Sequence, residues 1–420
     1  MRISELNVAD VRFPLAHGVG SDALHSNPTY SLAVCMIRAD SGETGTGFSL
    51  TLGAGNDLVC AAVELYRSYL LGKEPEELVA SLGEHWHRWA NDGQLRWLGP
   101  QKGVIHLALA AMVGALMDLW SRSRGLPLWK ALLSLSPEEV IALVDFSTIS
   151  DQLSPDDALT LLREGRLPRS EAEKLEQTGY PAYDTSVGWL GYTVEELVEK
   201  VVAAQEAGYS AVKVKVGSPD LTSDGKRLAA VRGVLREGSR LMIDANQRWS
   251  VPEAVEAGRA FQEFVPFWFE EPVHPDDLAG YVEVGKALRP MSIAGGEHIP
   301  NQVVFKNFFR AGALQVAQPD VVRLGGLPEY LGVALMGALS GVPVLPHVGD
   351  MGQIHQHLVL FTRVALGAPE LPLEMIPHLA EHFTEPCNIV AGRYRAPSAP
   401  GSSSAIRHES IRRFRWPGVS

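Results

Sequence analysis

The sequence predicts an α/β protein: a modified TIM barrel of the (β/α)8 type with an N-terminal α+β capping domain. Short apolar runs alternate with helical patterns from about residue 140 onwards. Asp244, Glu270 and Glu297 each end one of these runs, 26 and 27 residues apart, which is about one strand-plus-helix unit. Because the strands of such a barrel end at one mouth, these carboxylates are expected to meet there.

The first part of the chain, residues 1–137, predicts the capping domain. A chain of 420 residues has room for a large barrel and a smaller domain. Apolar SLAVCMIRAD (31–40) and TGFSL (46–50) flank a Gly-rich turn and predict antiparallel strands. The run VIHLALAAMVGALMDLWSRSRG (104–125) predicts a long apolar helix that Gly125 ends.

Residues 138–380 predict the barrel, with one candidate run for each of eight strands. Thr193 with Glu196 and Ser250 with Glu253 fit the capping box that starts a helix, and Pro137 after Ser136 suits a first helical position. Residues 147–190 are expected to be a long insertion after the first strand, and 381–420 a segment that packs back on the capping domain. The eight runs are VIALVDF (140–146), AVKVKV (211–216), LMIDAN (241–246), FWFEEP (267–272), MSIAGGE (291–297), LQVAQPD (314–320), VPVLPHV (342–348) and LPLEMI (371–376).

Composition excludes several classes of function. A formal charge of −12 argues against nucleic-acid binding, which needs basic surface, although a local cluster of cations could still attract an anionic small molecule. No apolar run of the length that a membrane span needs is expected, and the N-terminus lacks a signal-peptide pattern. Three cysteines suggest neither a disulfide framework nor a CxxC metal motif, which is typical of the cytoplasm.

The three strand-end carboxylates predict a metal site. A single acidic residue often ends a strand because loops are polar, but three at matched spacing favour a common role. Residues two apart in a strand share a face, so Glu270 and Trp268 point one way and Glu271 the other. Only Glu270 of the glutamate pair is therefore expected to bind the ion. Carboxylate oxygens suit Mg²⁺, whereas zinc would favour His or Cys.

Lys213, Lys215, His347 and Asp320 predict acid–base chemistry at the same mouth. The two lysines share one face of a strand, and near a divalent cation we expect them to disfavour each other's charged form and to lower at least one pKa, which can give a neutral base. His347 ends a strand roughly across the barrel. Asp320, one strand earlier, is expected to hold one of its ring nitrogens.

The segments KVK, DANQRW, FEEP, GGEH, QPD and PH, in this order and spacing, resemble the enolase superfamily, mandelate racemase-like branch. The resemblance covers essentially the whole chain and is closest to the L-fuconate dehydratase group. The stretches that carry this second resemblance are GSDALHSNPTYS (20–31), NDGQLRWLGPQKGV (91–104), YPAYDTSVGWLGY (180–192), GGEHIPNQVVFKNF (295–308) and GRYRAPSAPG (392–401).

The resemblance implies Mg²⁺-dependent dehydration of a sugar acid, L-fuconate, to a 2-keto-3-deoxy acid. Asp244, Glu270 and Glu297 would bind Mg²⁺. Lys215 would take the C2 proton, and His347, supported by Asp320, would protonate the leaving 3-hydroxyl. Lys213 would hold the substrate carboxylate. The remaining substrate-binding residues would be Gly20, Ser21, Asp22, Tyr30, Asn246, Glu297, Val348, Gly349 and Glu374.

The chain departs from the family pattern after His347, where small residues and a Cys-Glu pair are usual. Asp350 and the Ile354-His355 pair replace them, and Asp184 and Val187 replace Thr and Pro upstream. We expect Asp350, close to His347, to affect recognition of a hydroxyl.

Several functions therefore stay open: dehydration of another sugar acid such as L-galactonate or an aldarate, racemisation or epimerisation of a 2-hydroxy acid, and a catalytically silent sugar-acid binding protein. Family habit also suggests a homo-oligomer.

Overall fold

The computed structural model describes residues 1–417, which begin with a three-stranded antiparallel sheet. Its strands lie in the order β1-β2-β3, with Val8 opposite Cys35 and Cys35 opposite Gly47. The predicted antiparallel strands are confirmed. The strands are β1 (Ile3–Pro14), β2 (Thr29–Ala39) and β3 (Thr44–Thr51).

Seven helices follow, and the longest, α5 (Gly103–Ser123), packs on the sheet. A Cβ at Gly47 would lie 2.1 Å from the backbone N of Ala115, so glycine is required for this close approach. By length and composition α5 could cross a membrane, but 78% of its most apolar window is buried within the protein, as in a core helix. The other helices are α1 (Asn56–Leu65), α2 (Arg67–Leu70), α3 (Pro75–Ala80), α4 (Leu82–Ala90), α6 (Leu128–Leu133) and α7 (Pro137–Ile141), with a 3-10 turn at Leu95–Leu98.

Seven short parallel strands form most of the second, nine-stranded sheet, in the order β10-β4-β5-β6-β7-β8-β9. An extended segment supplies the eighth position: Val344 bridges Ala317 in parallel, and the amide of Gly349 donates to the carbonyl of Glu374, 2.9 Å away. The predicted barrel is confirmed. The strands are β4 (Tyr180–Asp184), β5 (Ala211–Lys215), β6 (Arg240–Asp244), β7 (Phe269–Glu270), β8 (Ile293–Gly295), β9 (Val316–Ala317) and β10 (Leu373–Met375).

The predicted first barrel strand, residues 140–146, is wrong. A capping box between Ser136 and Glu139 starts α7 there, so the chain is helical where the apolar run begins. The first strand is instead β4, within the segment predicted to be an insertion. Helices α8 (Pro155–Glu164) and α9 (Arg169–Thr178) precede it. The proposed domain boundaries at 137/138 and 380/381 stay predictions.

Helices alternate with the later strands, as the sequence predicts. The capping boxes of Thr193 with Glu196 and of Ser250 with Glu253 are both present. The helices are α10 (Val194–Glu206), α11 (Leu221–Val234), α12 (Val251–Phe261), α13 (Leu278–Ala287), α14 (Gln302–Ala311), α15 (Leu327–Ser340) and α16 (Ile354–Leu366), with 3-10 turns at Gln262–Phe264 and Pro377–His382.

The C-terminal segment contacts both sheets. It contains β11 (Ile389–Val390), β12 (Arg393–Tyr394) and α17 (His408–Phe414), and β12 pairs antiparallel with β4. Arg415 bridges Val11 of β1. This segment therefore ties the capping sheet to the barrel.

Buried His357 on α16 predicts acid sensitivity. The amide of Trp129 donates to its Nδ1 (3.3 Å), and its Nε2 lies 3.2 Å from Ser403 Oγ, so the neutral ring is fully bonded. Burial, with Arg122 adding to the effect, lowers its pKa to about 3. In the unfolded chain the ring titrates near 6.5, so its stabilising contribution is complete above that pH and is lost as pH falls towards 3. Between pH 6.5 and 4 we expect the free energy of unfolding of His357→Leu to fall less steeply with decreasing pH than that of the wild type. The two slopes should differ by up to about 1.4 kcal/mol per pH unit. Denaturant titrations measure both slopes, and equal slopes would contradict the assignment.

Candidate active site

The carboxyl ends of β5, β6 and β7 lie side by side and bring together two lysines and two carboxylates. The strand register sets Lys215 opposite Asp244, and Asp244 opposite Glu270. Lys215 Nζ lies 2.5 Å from Asp244 Oδ2, and Lys213 Nζ lies 2.7 Å from Glu270 Oε1. The strand register thus brings residues that are far apart in the sequence into one charged cluster.

His347 and Asp320 form a pair at the same mouth. His347 Nδ1 lies 2.9 Å from Asp320 Oδ2 and therefore donates its proton, because an ionised carboxylate only accepts. His347 Nε2 lies 2.8 Å from Glu297 Oε2 and 3.5 Å from Glu374 Oε2. Burial alone would lower the pKa of His347, but Glu297 and Asp320 raise it well above its usual value. The ring is a cation that can give up a proton.

Carboxylates hold both lysines in their charged form. Burial lowers the pKa of Lys213, but Glu270 and Glu374 together raise it well above its usual value. Burial also lowers the pKa of Lys215, and Asp244 outweighs it and raises the pKa. Lys213 does lower the pKa of Lys215, but its effect is smaller than that of Asp244. The lowered lysine pKa beside a bound divalent cation stays a prediction.

The donor set fits a divalent cation. Burial raises the pKa of Glu270 to about 8; Lys213 opposes the rise, and Asp244 adds to it. The nearby lysines thus neutralise the carboxylate cluster only in part. Asn246 Oδ1 is buried and has no hydrogen-bond partner within residues 1–417. Asp244, Glu270 and Glu297 are the residues that could hold Mg²⁺, which prefers hard oxygen ligands.

Within residues 1–417, the group whose possible ligand atoms lie within 4.8 Å of one another is a different one, Glu271, Glu297 and His298. His298 Nδ1 lies 3.1 Å from Glu271 Oε1 and 3.1 Å from Glu297 Oε1. Burial would lower the pKa of His298, but Glu271 leads a set of acceptors that raise it to about 9. A cation bound by this group would therefore have to displace the ring proton of His298, which costs free energy.

A cavity of about 280 Å³ lies at the strand ends, between the barrel and the capping domain. Its walls combine charged groups of the barrel with mostly apolar groups of the cap. The lining residues are Gly20, Asp22, His25, Pro28, Tyr30, Leu50, Thr51, Leu52, Leu107, Trp189, Lys215, Asn246, Glu297, His298, Arg323, His347, Met351 and Ile376.

Many predicted site residues line this cavity or contact one that does. Ser21, Val348 and Gly349 do not line it. Ser21 Oγ accepts from the amide of Asn27, while Val348 and Gly349 are buried behind His347. The predicted lining residues are Gly20, Asp22, Tyr30, Lys215, Asn246, Glu297 and His347; those beside or beneath them are Lys213, Asp244, Glu270, Asp320 and Glu374.

Sequence reasoning missed several lining residues. Trp189 lies within the stretch 180–192 that resembles the family, and Arg323 follows Asp320 by three residues. The sequence therefore offered a signal that both residues belong to the site. Leu107, on α5, had none, because its place depends on how the cap docks on the barrel.

Asp350 is not a cavity residue. It is 1% exposed, and its Oδ1 accepts from the amide of Ile376 at 2.8 Å. Burial raises its pKa well above the usual value. The expectation that Asp350 affects recognition of a hydroxyl therefore has no direct contact to support it.

The chain is similar to known proteins along most of its length. The family model described as Enolase C-terminal domain-like matches residues 196–410. Human mitochondrial enolase superfamily member 1 is 41% identical over 99% of this chain and 96% of its own length, and its crystal structure superposes with a TM-score of 0.96, covering 99% and 97% of the two chains.

Two further relatives are named as sugar-acid dehydratases. L-galactonate dehydratase of Hypocrea jecorina is 41% identical over 97% of this chain and 93% of its own. The crystal structure of L-talarate/galactarate dehydratase from Salmonella typhimurium, liganded with Mg and L-lyxarohydroxamate, has a TM-score of 0.79 at 26% identity and covers 99% and 93% of the two chains.

Proposed function

This chain belongs to the enolase superfamily, and from that premise we propose that it is a Mg²⁺-dependent sugar-acid dehydratase. The observation that carries the proposal is one cavity lined by Lys215, Glu297 and His347, in which Glu297 contacts His347 and the neighbouring Asp244–Glu270 pair contacts the lysines. The related L-galactonate and L-talarate/galactarate dehydratases support the reaction, and the Mg in the latter supports the cofactor.

In the proposed reaction Lys215, in its neutral form, accepts the C2 proton, and the C2–H electron pair forms an enediolate. His347 donates a proton to the 3-hydroxyl, which leaves as water, and the enol product tautomerises to a 2-keto-3-deoxy acid. A bound Mg²⁺ would supply charge that stabilises the enediolate and would compete with Lys215 for Asp244. A positioned acid or base contributes about 10²–10⁴-fold, whereas enzymes commonly reach about 10⁶-fold or more, so charge stabilisation is also required.

We propose L-fuconate as the preferred substrate, with L-galactonate next. L-fuconate is the 6-deoxy form of L-galactonate, so the two share every stereocentre and differ only at C6. Leu50, Leu107 and Ile376 of the cavity wall would suit a methyl group at C6. Because an apolar pocket rejects an added hydroxyl only weakly, the preference should not exceed about 100-fold.

A screen of sugar acids with Mg²⁺ tests both proposals. We expect 2-keto acid from L-fuconate and, more slowly, from L-galactonate, and none after chelation of the metal. Turnover of a different aldonate or aldarate alone would contradict L-fuconate as the preferred substrate and would leave dehydration as the proposed reaction. Recovery of an epimer with solvent deuterium at C2, without 2-keto acid, would identify a racemase or epimerase instead.

Arg323 favours a second candidate substrate class, the aldarates. Its guanidinium lines the cavity and has no hydrogen-bond or ion-pair partner within residues 1–417. A second carboxylate at C6 would supply one. If galactarate is a substrate, we expect Arg323→Met to lower its kcat/KM about 10–100-fold, as for the loss of a charged hydrogen bond. The value for L-fuconate should change less than about 3-fold.

Arg310→Met is the matched control, because Arg310 pairs with Asp151 outside the cavity. Equal losses for galactarate and L-fuconate in Arg323→Met would mean that Arg323 does not recognise the distal carboxylate.

A further inference from the structure

His355 lies in the first turn of α16, behind the acid pair, which we define as His347 and Asp320. It is fully buried and does not line the cavity. Its Nδ1 lies 2.9 Å from the carbonyl of Val348, and its Nε2 lies 2.9 Å from the amide of Val321 and 3.2 Å from Asp320 Oδ1. One imidazole therefore contacts both loops that carry the acid pair.

The contact of Nδ1 with the Val348 carbonyl holds in either charge state of His355, whereas the hydrogen-bond partner of Nε2 depends on that state. A carbonyl only accepts, so Nδ1 carries a proton and donates to Val348. In the neutral ring Nε2 accepts from the Val321 amide, and in the cationic ring it donates to Asp320 Oδ1. The amide of Val322 also donates to Asp320 Oδ1, at 2.9 Å. The outer oxygen of Asp320 is thus fixed while its inner oxygen faces His347.

The contact between His355 and the carbonyl of Val348 matters because the backbone of Val348 is strained. Its φ is +42°, a left-handed conformation that a β-branched residue rarely adopts and that costs free energy. Val348 directly follows His347, so relaxation of its backbone would move the histidine. The bond from His355 to the Val348 carbonyl holds this conformation.

We propose that His355 is a positioning residue for the acid pair, acting through Asp320 and Val348 to aim His347 Nε2 into the cavity. The inference rests on the proposed dehydration. Loss of a residue that orients a site residue, without itself touching the substrate, commonly lowers activity about 10–100-fold.

The test separates proton abstraction from loss of the hydroxyl. In D2O, abstraction by Lys215 and return of a deuteron label C2 of recovered L-fuconate, whereas 2-keto acid requires His347 as well. We expect His355→Leu to lower 2-keto acid formation about 10–100-fold and to raise the ratio of C2 exchange to dehydration at least about 10-fold. His355→Gln, which keeps a polar atom near the position of Nε2, should recover part of this ratio.

His357→Leu is the matched control, because His357 is a buried histidine two residues along the same helix that contacts Trp129 and Ser403 instead. Its exchange ratio should equal that of the wild type. A His355→Leu ratio equal to that of His357→Leu, with both reactions slowed alike, would overturn the inference.

A second measurement is independent of turnover. Crystal structures of Mg²⁺-loaded wild type and His355→Leu should show the contact between His347 Nδ1 and Asp320 Oδ2 lost in the variant. Retention of that contact would overturn the inference. Absence of 2-keto acid from every sugar acid tested with the wild type would refute the proposed function instead, and these two structures would still decide the role of His355.

Discussion

Lys215→Met lowers kcat for 2-keto acid formation by about 10⁴-fold or more, the upper range for removal of a positioned base. The variant also loses exchange of the C2 proton with solvent, because both reactions begin with the same abstraction. Methionine keeps the length and apolar volume of the lysine stem, so the cavity wall beside Trp189 stays filled. Steady-state kinetics and NMR of substrate recovered from D2O measure the two effects.

Lys306→Met controls for the loss of a buried lysine as such. Lys306 is 8% exposed, and its Nζ lies 2.9 Å from Asp151 Oδ1, outside the cavity. This control is expected to lose stability and to keep its activity. Exchange of the C2 proton at the wild-type rate in Lys215→Met would assign the base to another residue.

The order of barrel strands could be predicted from sequence because each later strand ends in a chemically distinctive residue at a regular interval. The first strand could not. Tyr180–Asp184 is short and contains Pro181, which weakens a strand pattern, whereas residues 140–146 form a longer apolar run. The capping box at Ser136 was the better signal, because a helix that begins at Pro137 leaves no room for a strand there.

The charged groups of the site could be predicted from position in a strand, but their protonation could not. Pairwise reasoning considered Lys213 beside Lys215, whereas the fold surrounds both with Asp244, Glu270 and Glu374. The direction of a pKa shift depends on the whole set of neighbours. Cap residues such as Leu107 depend on domain docking, which no local pattern encodes.

We expect Glu270→Gln to remove the stabilisation that bound Mg²⁺ would give to the folded protein. A ligand at 100 times its Kd stabilises by about 2.7 kcal/mol, and a 100-fold weaker site loses almost all of it. Glu270 Oε1 lies 2.7 Å from Lys213 Nζ, and its Oε2 accepts from Gln318 and Trp268, so the carboxylate is already held in place for a cation. Thermal unfolding with and without Mg²⁺, and calorimetric titration of the metal, measure the loss.

Glu271→Gln is the decisive comparison, because it makes the same change from carboxylate to amide in the neighbouring glutamate. Glu271 bonds to Gln247 and His298 on the other side of the strand. We expect this variant to keep its response to Mg²⁺, since a cation held by that group would first have to displace the ring proton of His298. The reverse result, with Glu271→Gln insensitive to Mg²⁺ and Glu270→Gln unaffected, would move the ion to Glu271, Glu297 and His298. Glu270 would then be neutralised by Lys213 alone. No metal ion would compete with Lys215 for Asp244, so the proposed release of Lys215 from Asp244 would have no cause.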